Sequence, residues 1–151
     1  MEIPNRPEVV LVSRSIILND KAEMLLVQRS ADDNNDPGKW EFPGGKTDTG
    51  NSLEEARQRE IAEETGLQTV RLSPLVYPGS YIIKDGKYAG ALYVALVGIA
   101  KVVSGELRLS DEHTDFAWAP HGKALGYDLT NVSQRALTVI SKRMLEDVVK
   151  L

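Results

Sequence analysis

An α+β fold, with a mixed β-sheet held between helices, is what the sequence predicts. Short segments rich in branched and aromatic residues recur between turn signals. Two helical segments stand far apart in the chain, and strands and helices do not alternate strictly, which argues against a uniform βαβ repeat. With 151 residues, the chain is long enough for one domain with a core that needs no covalent staples. The expectation is a single domain over 1–151, with 1–8 as a tail or short edge segment.

Each element has a local reason. Residues 9–18 (VVLVSRSIIL) are rich in branched side chains and read as a strand, and Asn19-Asp20 turns the chain. Met24–Gln28 reads as a second strand paired with the first, and 30–39 as a polar loop broken by Pro37-Gly38. Trp40–Phe42 is a short extended stretch stopped by Pro43-Gly44-Gly45, with a further loop to Asn51. Ser52, with Glu55 three residues on, forms a capping-box pattern, and the helix it opens runs to Thr65, where Gly66 ends it. Thr69–Val76 reads as a strand ended by Pro78-Gly79. Tyr81–Ile83 and Tyr88–Val103 read as a hairpin closed by Asp85-Gly86. After a turn at Ser104-Gly105 comes a last strand, Phe116–Ala119. Thr130 or Asn131 then caps a helix whose apolar Val132, Ala136, Ile140, Met144 and Val148 recur every fourth residue, as a core-facing stripe does.

Composition excludes several function classes. Without cysteine there is no disulfide, thiolate zinc site or cysteine nucleophile. A net charge of −4 argues against nucleic acid as a partner. The longest apolar run, Tyr88–Ala100, has 13 residues, short of the roughly 20 that span a bilayer. The first six residues show no basic-then-apolar export pattern, so a cytoplasmic location without membrane attachment is expected.

The negative charge is concentrated. Between residues 54 and 64 stand five glutamates against two arginines. A solvated helix face is the ordinary reading of such a run. At 100° per residue, however, Glu60, Glu63 and Glu64 share a face with Leu53 and Ala56, while Glu54, Glu55 and Gln58 take the far side. Like charges at i, i+3 and i+4 repel, more so when partly buried, and a divalent cation removes that penalty. Hard oxygen ligands without His or Cys suit Mg2+, with Mn2+ as the alternative. Pro43-Gly44-Gly45 lets the backbone pass close to such an ion or to a ligand.

Gly45–Leu67 (GKTDTGNSLEEARQREIAEETGL) resembles the Nudix box, G-x5-E-x7-R-E-U-x-E-E-x-G-U with U apolar. Gly45, Arg59, Glu60, Ile61, Glu63, Glu64, Gly66 and Leu67 fall in register, and Trp40–Gly44 resembles the lead-in to that box. One position departs, since Asn51 stands where the first glutamate of the box belongs. The resemblance implies a Nudix-type α/β/α sandwich that hydrolyses a nucleoside diphosphate linked to another group, by attack of water at a phosphorus of the pyrophosphate bridge. It further implies that Glu60, Glu63 and Glu64 hold Mg2+, with the Gly44 carbonyl as a further ligand, and that Arg59 orients a glutamate. Some members of the family use a downstream loop glutamate as base. Glu112, six residues before Trp118, fits that placement, while His113 is expected to be structural or exposed.

The expected partner is a small-molecule nucleotide, and a homodimer is left open. Trp40, Trp118, Tyr81 and Tyr88 are aromatic candidates for stacking on a base. Downstream marks of the ADP-ribose and dinucleoside-polyphosphate subgroups would fall at Ile82–Asp85 and do not match. Small size and WEFPGGK lean toward the nucleoside-triphosphate branch related to MutT. The alternatives are hydrolysis of ADP-ribose, nucleotide sugars or dinucleoside polyphosphates, or a non-catalytic nucleotide-sensing module on the same fold, which Asn51 motivates.

Overall fold

The computed structural model describes residues 8–47, 52–71, 73 and 75–150. Its sheet is built around β1 (Val9–Leu18), whose last three residues, Ile16, Ile17 and Leu18, are apolar and buried on both faces. Such a strand must be covered on both sides. It pairs in parallel with β7 (Leu92–Gly105) from Val9↔Leu92 to Leu18↔Lys101. The other pairings are antiparallel: β2 (Met24–Arg29) with β1, with β3 (Trp40–Glu41) and with β8 (His113–Ala119), and both β5 (Leu67–Arg71) and β6 (Val76–Ile82) with β7. The sheet is therefore mixed, as expected.

Helices cover both faces. On one, Ile61 of α1 (Leu53–Thr65) packs with Ile17, Leu25, Val27 and Leu67. On the other, Ile16, Leu18, Leu26 and Phe42 meet Ala136 and Leu137 of α3 (Asn131–Val139) and Leu145 of α4 (Lys142–Val149). The short α2 (His121–Ala124), not anticipated from the sequence, adds Ala124 to this second cluster.

Several boundaries differ from the sequence reading. Pro43-Gly44-Gly45 does not simply end a strand: Gly44–Lys46 forms β4, paired antiparallel with Val12–Arg14. The strand expected over Thr69–Val76 is two strands, because β5 ends at Arg71 and β6 begins at Val76. Pro78-Gly79 lies inside β6 at a register shift, where an edge strand tolerates proline. β7 begins only at Leu92, since Tyr88–Ala91 are spent on turn hydrogen bonds such as Ala91 N–H to Tyr88 C=O at 3.0 Å. The C-terminal helix breaks at Ile140, which is extended, and Ser141 caps α4 by accepting from Met144 N–H at 3.2 Å. That break rotates the stripe, so Leu145 is buried and Met144 is exposed.

The end of α1 also fixes the start of β5. Gly66 has φ 72°, and a Cβ there would meet the Glu106 carbonyl at 2.7 Å. Gly66→Ala is expected to cost at least about 1 kcal/mol, from the left-handed strain alone. Urea unfolding measures it, and an unchanged midpoint would show that this cap bears no strain.

Candidate active site

The acidic helix is locally well specified. Ser52 is the N-cap, its Oγ accepting from Glu55 N–H at 3.1 Å, and the Gly66 N–H closes the last turn on Ala62 C=O. Ala56, Ile61 and Thr65 pin one side of it to the sheet. Arg57 is buried there too, donating through Nε and Nη2 to Ser15 Oγ at 3.2 and 3.1 Å. Room for it comes from Gly98 of β7, where a Cβ would stand 2.6 Å from Arg57 Nη2. With the helix so seated, Glu60 and Glu64 face β4.

Close approach of backbone to backbone completes this wall. Gly44 has φ 146°, and a Cβ on it would lie 2.2 Å from the Ser13 carbonyl and 2.6 Å from Arg14 Cα. No other residue type fits here. Its N–H donates to Glu64 Oε2 at 3.0 Å, and its carbonyl accepts from Arg14 Nη1 at 3.3 Å. Next to it, Gly45 leaves space for the Glu60 carboxylate, whose Oε2 would be 3.0 Å from a Cβ at that position.

A cleft of about 410 Å³ opens in front of these groups, lined by Gly44–Lys46, Glu60, Glu63, Glu64 and the loop Ser110–Glu112. Burial pushes the Glu60 carboxyl up to about 7, with Glu63 and Glu112 adding to the effect and Arg14 and Arg59 opposing it. Burial also pushes Glu64 up to about 8; the Gly44 N–H and Arg14 oppose this, and Glu112 and Glu60 reinforce it. Among the described residues, no cation forms an ion pair with either carboxylate.

Of the residues singled out by sequence, the fold brings Gly44, Glu60, Glu63, Glu64 and Glu112 to one cleft. Glu63 does not share the buried face expected for it: its side chain is 66% exposed at the cleft rim. Arg59 is a surface neighbour, with Nε 3.8 Å from Glu63 Oε1. Trp40 packs edge-on against Tyr127 at 5.1 Å, and Trp118 packs on the core beneath α1. Tyr81 is exposed, stacks on Tyr93 at 4.6 Å, and lines a narrow slot with Asn131 and Arg135. None of these three aromatics lines the carboxylate cleft. Asn51 lies outside the described residues, as do 1–7 of the expected tail. Sequence reasoning missed Arg14, Glu41 and Arg57. The signals were present in small polar Ser13 and Ser15 within an apolar strand and in Gly98 opposite.

The donor set fits a hard divalent cation. Two carboxylates raised by burial and mutual repulsion face an open cleft, and a cation there would relieve both. Among the described residues no three carboxylate or imidazole groups close into a preformed cage. Arg14 beside the Gly44 carbonyl makes that oxygen a poorer cation ligand than the carboxylates.

Comparison with known proteins identifies the family. The model of the NUDIX domain matches residues 10–140. Nucleoside triphosphatase NudI of Escherichia coli is 30% identical over 128 residues, covering 81% of this chain and 89% of its own. The crystal structure of a MutT protein from Methanosarcina mazei is similar with a TM-score of 0.69 at 27% identity, covering 99% of this chain and 100% of that one. That of a MutT NUDIX hydrolase from Burkholderia pseudomallei has a TM-score of 0.67 at 28% identity, over 89% and 100% of the two chains.

The raised carboxyls make a pH prediction for the metal-free protein. Between the ordinary value of 4.5 and about 7 for Glu60 and 8 for Glu64, the folded state holds protons that the unfolded chain has released. Stability is therefore full below that window, falls as pH rises through it, and levels off above. In chelator, Tm should drop across this range, and Glu64→Gln should remove part of the slope and raise Tm at its alkaline end. Calorimetry against pH measures both, and a flat profile would show the carboxylates to be already ionised and compensated.

Proposed function

The chain belongs to the NUDIX family of hydrolases, and from that premise we propose Mg2+-dependent cleavage of the pyrophosphate linkage of nucleoside triphosphates. The observation that carries this reading is the pair of half-buried Glu60 and buried Glu64, which have no ion-pair partner among the described residues and line an open cleft together with Glu112. The triphosphate preference is supported by the NudI relative's being a nucleoside triphosphatase and by the WEFPGGK lead-in.

Glu60, Glu63 and Glu64 would hold the ion, Glu64 fixed by the Gly44 N–H. When bound, Mg2+ neutralises charge on the phosphate oxygens. Glu112 orients a water molecule and takes its proton. The water oxygen bonds to one phosphorus, the bridging P–O bond breaks, and the leaving phosphate departs with the electron pair. Arg59 shares the helix with these groups and moderates the Glu60 charge through space.

A panel of nucleoside triphosphates, ADP-ribose, nucleotide sugars and dinucleoside polyphosphates with Mg2+ tests the substrate class. Triphosphates should give the highest kcat/KM, and 31P spectra in H2-18O identify the phosphorus attacked. A clear preference for ADP-ribose or a dinucleotide would overturn the assignment. Binding without turnover would instead favour the sensing module that Asn51 motivates.

Two variants test the roles. Glu64→Gln should remove most turnover while leaving the metal-free fold as stable or more so. Glu112→Gln should lower kcat by roughly 10²–10⁴-fold, the range for losing general-base catalysis, with KM little changed. Near-normal turnover in Glu112→Gln beside collapse in Glu60→Gln would move the base onto α1.

A further inference from the structure

Behind the cleft, four ionisable side chains meet in the interior. Glu41 of β3 is 2% exposed. Arg29 Nη1 lies 3.1 Å from both of its oxygens, His113 Nε2 lies 2.9 Å from Oε2, and Arg14 Nη1 lies 3.4 Å from Oε1. Burial alone pushes the Glu41 carboxyl up, yet Arg14, His113 and Arg29 together hold it below the ordinary range. An ionised carboxylate only accepts, so His113 Nε2 is the donor.

Each partner also reaches a wall of the cleft. Arg14 Nη1 donates to the carbonyls of Phe42 at 3.0 Å and Gly44 at 3.3 Å, the two ends of the turn whose Gly44 N–H holds Glu64. His113 follows Glu112 directly, and the Glu112 carbonyl accepts from Ser30 N–H at 3.3 Å, one residue after Arg29. The pairing of β2 with β8 shifts register at Gln28/Arg29, so the ladder itself is irregular where this loop begins. Beyond the Ser30–Glu112 bond and Ser110 N–H to the Glu64 carbonyl at 3.2 Å, side chains help to fix its position.

We propose that Glu41 is a positioning residue for the hydrolysis: through Arg14 and His113 its carboxylate locks the Gly44 turn and the Glu112 loop into one frame. The proposal rests on the reading that Glu112 and Glu64 serve the reaction. An ordinary buried ion cluster would hold β2, β3 and β8 together and leave the chemistry of the folded enzyme untouched. The two roles separate experimentally.

Glu41→Gln keeps the volume and one acceptor oxygen and removes the charge. With Mg2+ and substrate, kcat should fall roughly 10–100-fold, the range for groups that orient a site's ligands, with KM little changed. The double variant Glu41→Gln/Glu112→Gln should lose less than the product of the two single losses, since part of the effect of Glu41 runs through Glu112. In the ligand-free protein, amide exchange should quicken together at 44–46 and 110–113, with β1, β7 and α1 unchanged. Unchanged kcat, losses that multiply, or exchange that rises evenly through the core would each overturn the proposal. Should Glu41→Gln not fold, His113→Gln cuts one limb: 110–113 should loosen and kcat fall while 44–46 stay protected, and normal kcat there would overturn it equally. If Glu112→Gln keeps its turnover, the base assignment fails, while joint loosening at both segments still decides on Glu41.

Discussion

Everything at the cleft depends on how closely Gly44 can approach β1. Its backbone lies where any Cβ would overlap the Ser13 carbonyl and Arg14 Cα. That contact lets β4 pair with Val12–Arg14, brings the Gly44 N–H onto Glu64, and leaves the space above Gly45 for Glu60. A side chain at 44 would displace β4 from the sheet edge, and with it the donor that holds the most buried of the acidic groups. One glycine thus couples the centre of the sheet to the inner face of α1.

Opposed to that constraint is the cost of what it brings together. Burial raises Glu60 and Glu64, and Glu112 across the cleft raises both further. The fold supports this through anchors unrelated to the site: Ile61 in the core, Thr65 Oγ1 donating to the Ile61 carbonyl, and Arg57 locked on Ser15 beneath Gly98. These hold the helix at a fixed rotation, so two carboxylates stay turned inward against their own repulsion. A bound cation reverses the sign of that electrostatic cost, which is why an arrangement unfavourable in isolation is a good receptor for one.

The parts of this legible in the sequence are those with a local cause. Ser52 and Gly66 announce the two ends of α1, and helical geometry alone places Glu60 beside Glu64. β1, with its run of branched residues, has the expected limits of Val9 and Leu18. What could not be read depends on distant partners. β4 exists because Arg14 and Ser13 lie opposite two glycines, and Gly-Gly has no strand propensity of its own. Glu63 sits at the helical angle of an inward group, yet no element covers it. Arg57 looks like a surface residue until Gly98, 41 positions away, makes room. Met144 and Leu145 exchange places because the chain breaks one turn earlier, at Ile140.

Arg14 explains why two clusters of opposite balance can sit side by side. Its guanidinium lowers both Glu60 and Glu64 through space, and a direct ion pair with either would neutralise the cleft. Glu41 prevents this by drawing Arg14 inward, with Arg29 and His113 on the remaining sides of that carboxylate. The Phe42 and Gly44 carbonyls accept from Arg14 Nη1. The cation is thus held behind the turn, and among the described residues Glu60 and Glu64 in front have no ion-pair partner. Compensation inside and deficit outside are two halves of one arrangement. The charge that the interior keeps to itself is the charge the cleft has to recruit.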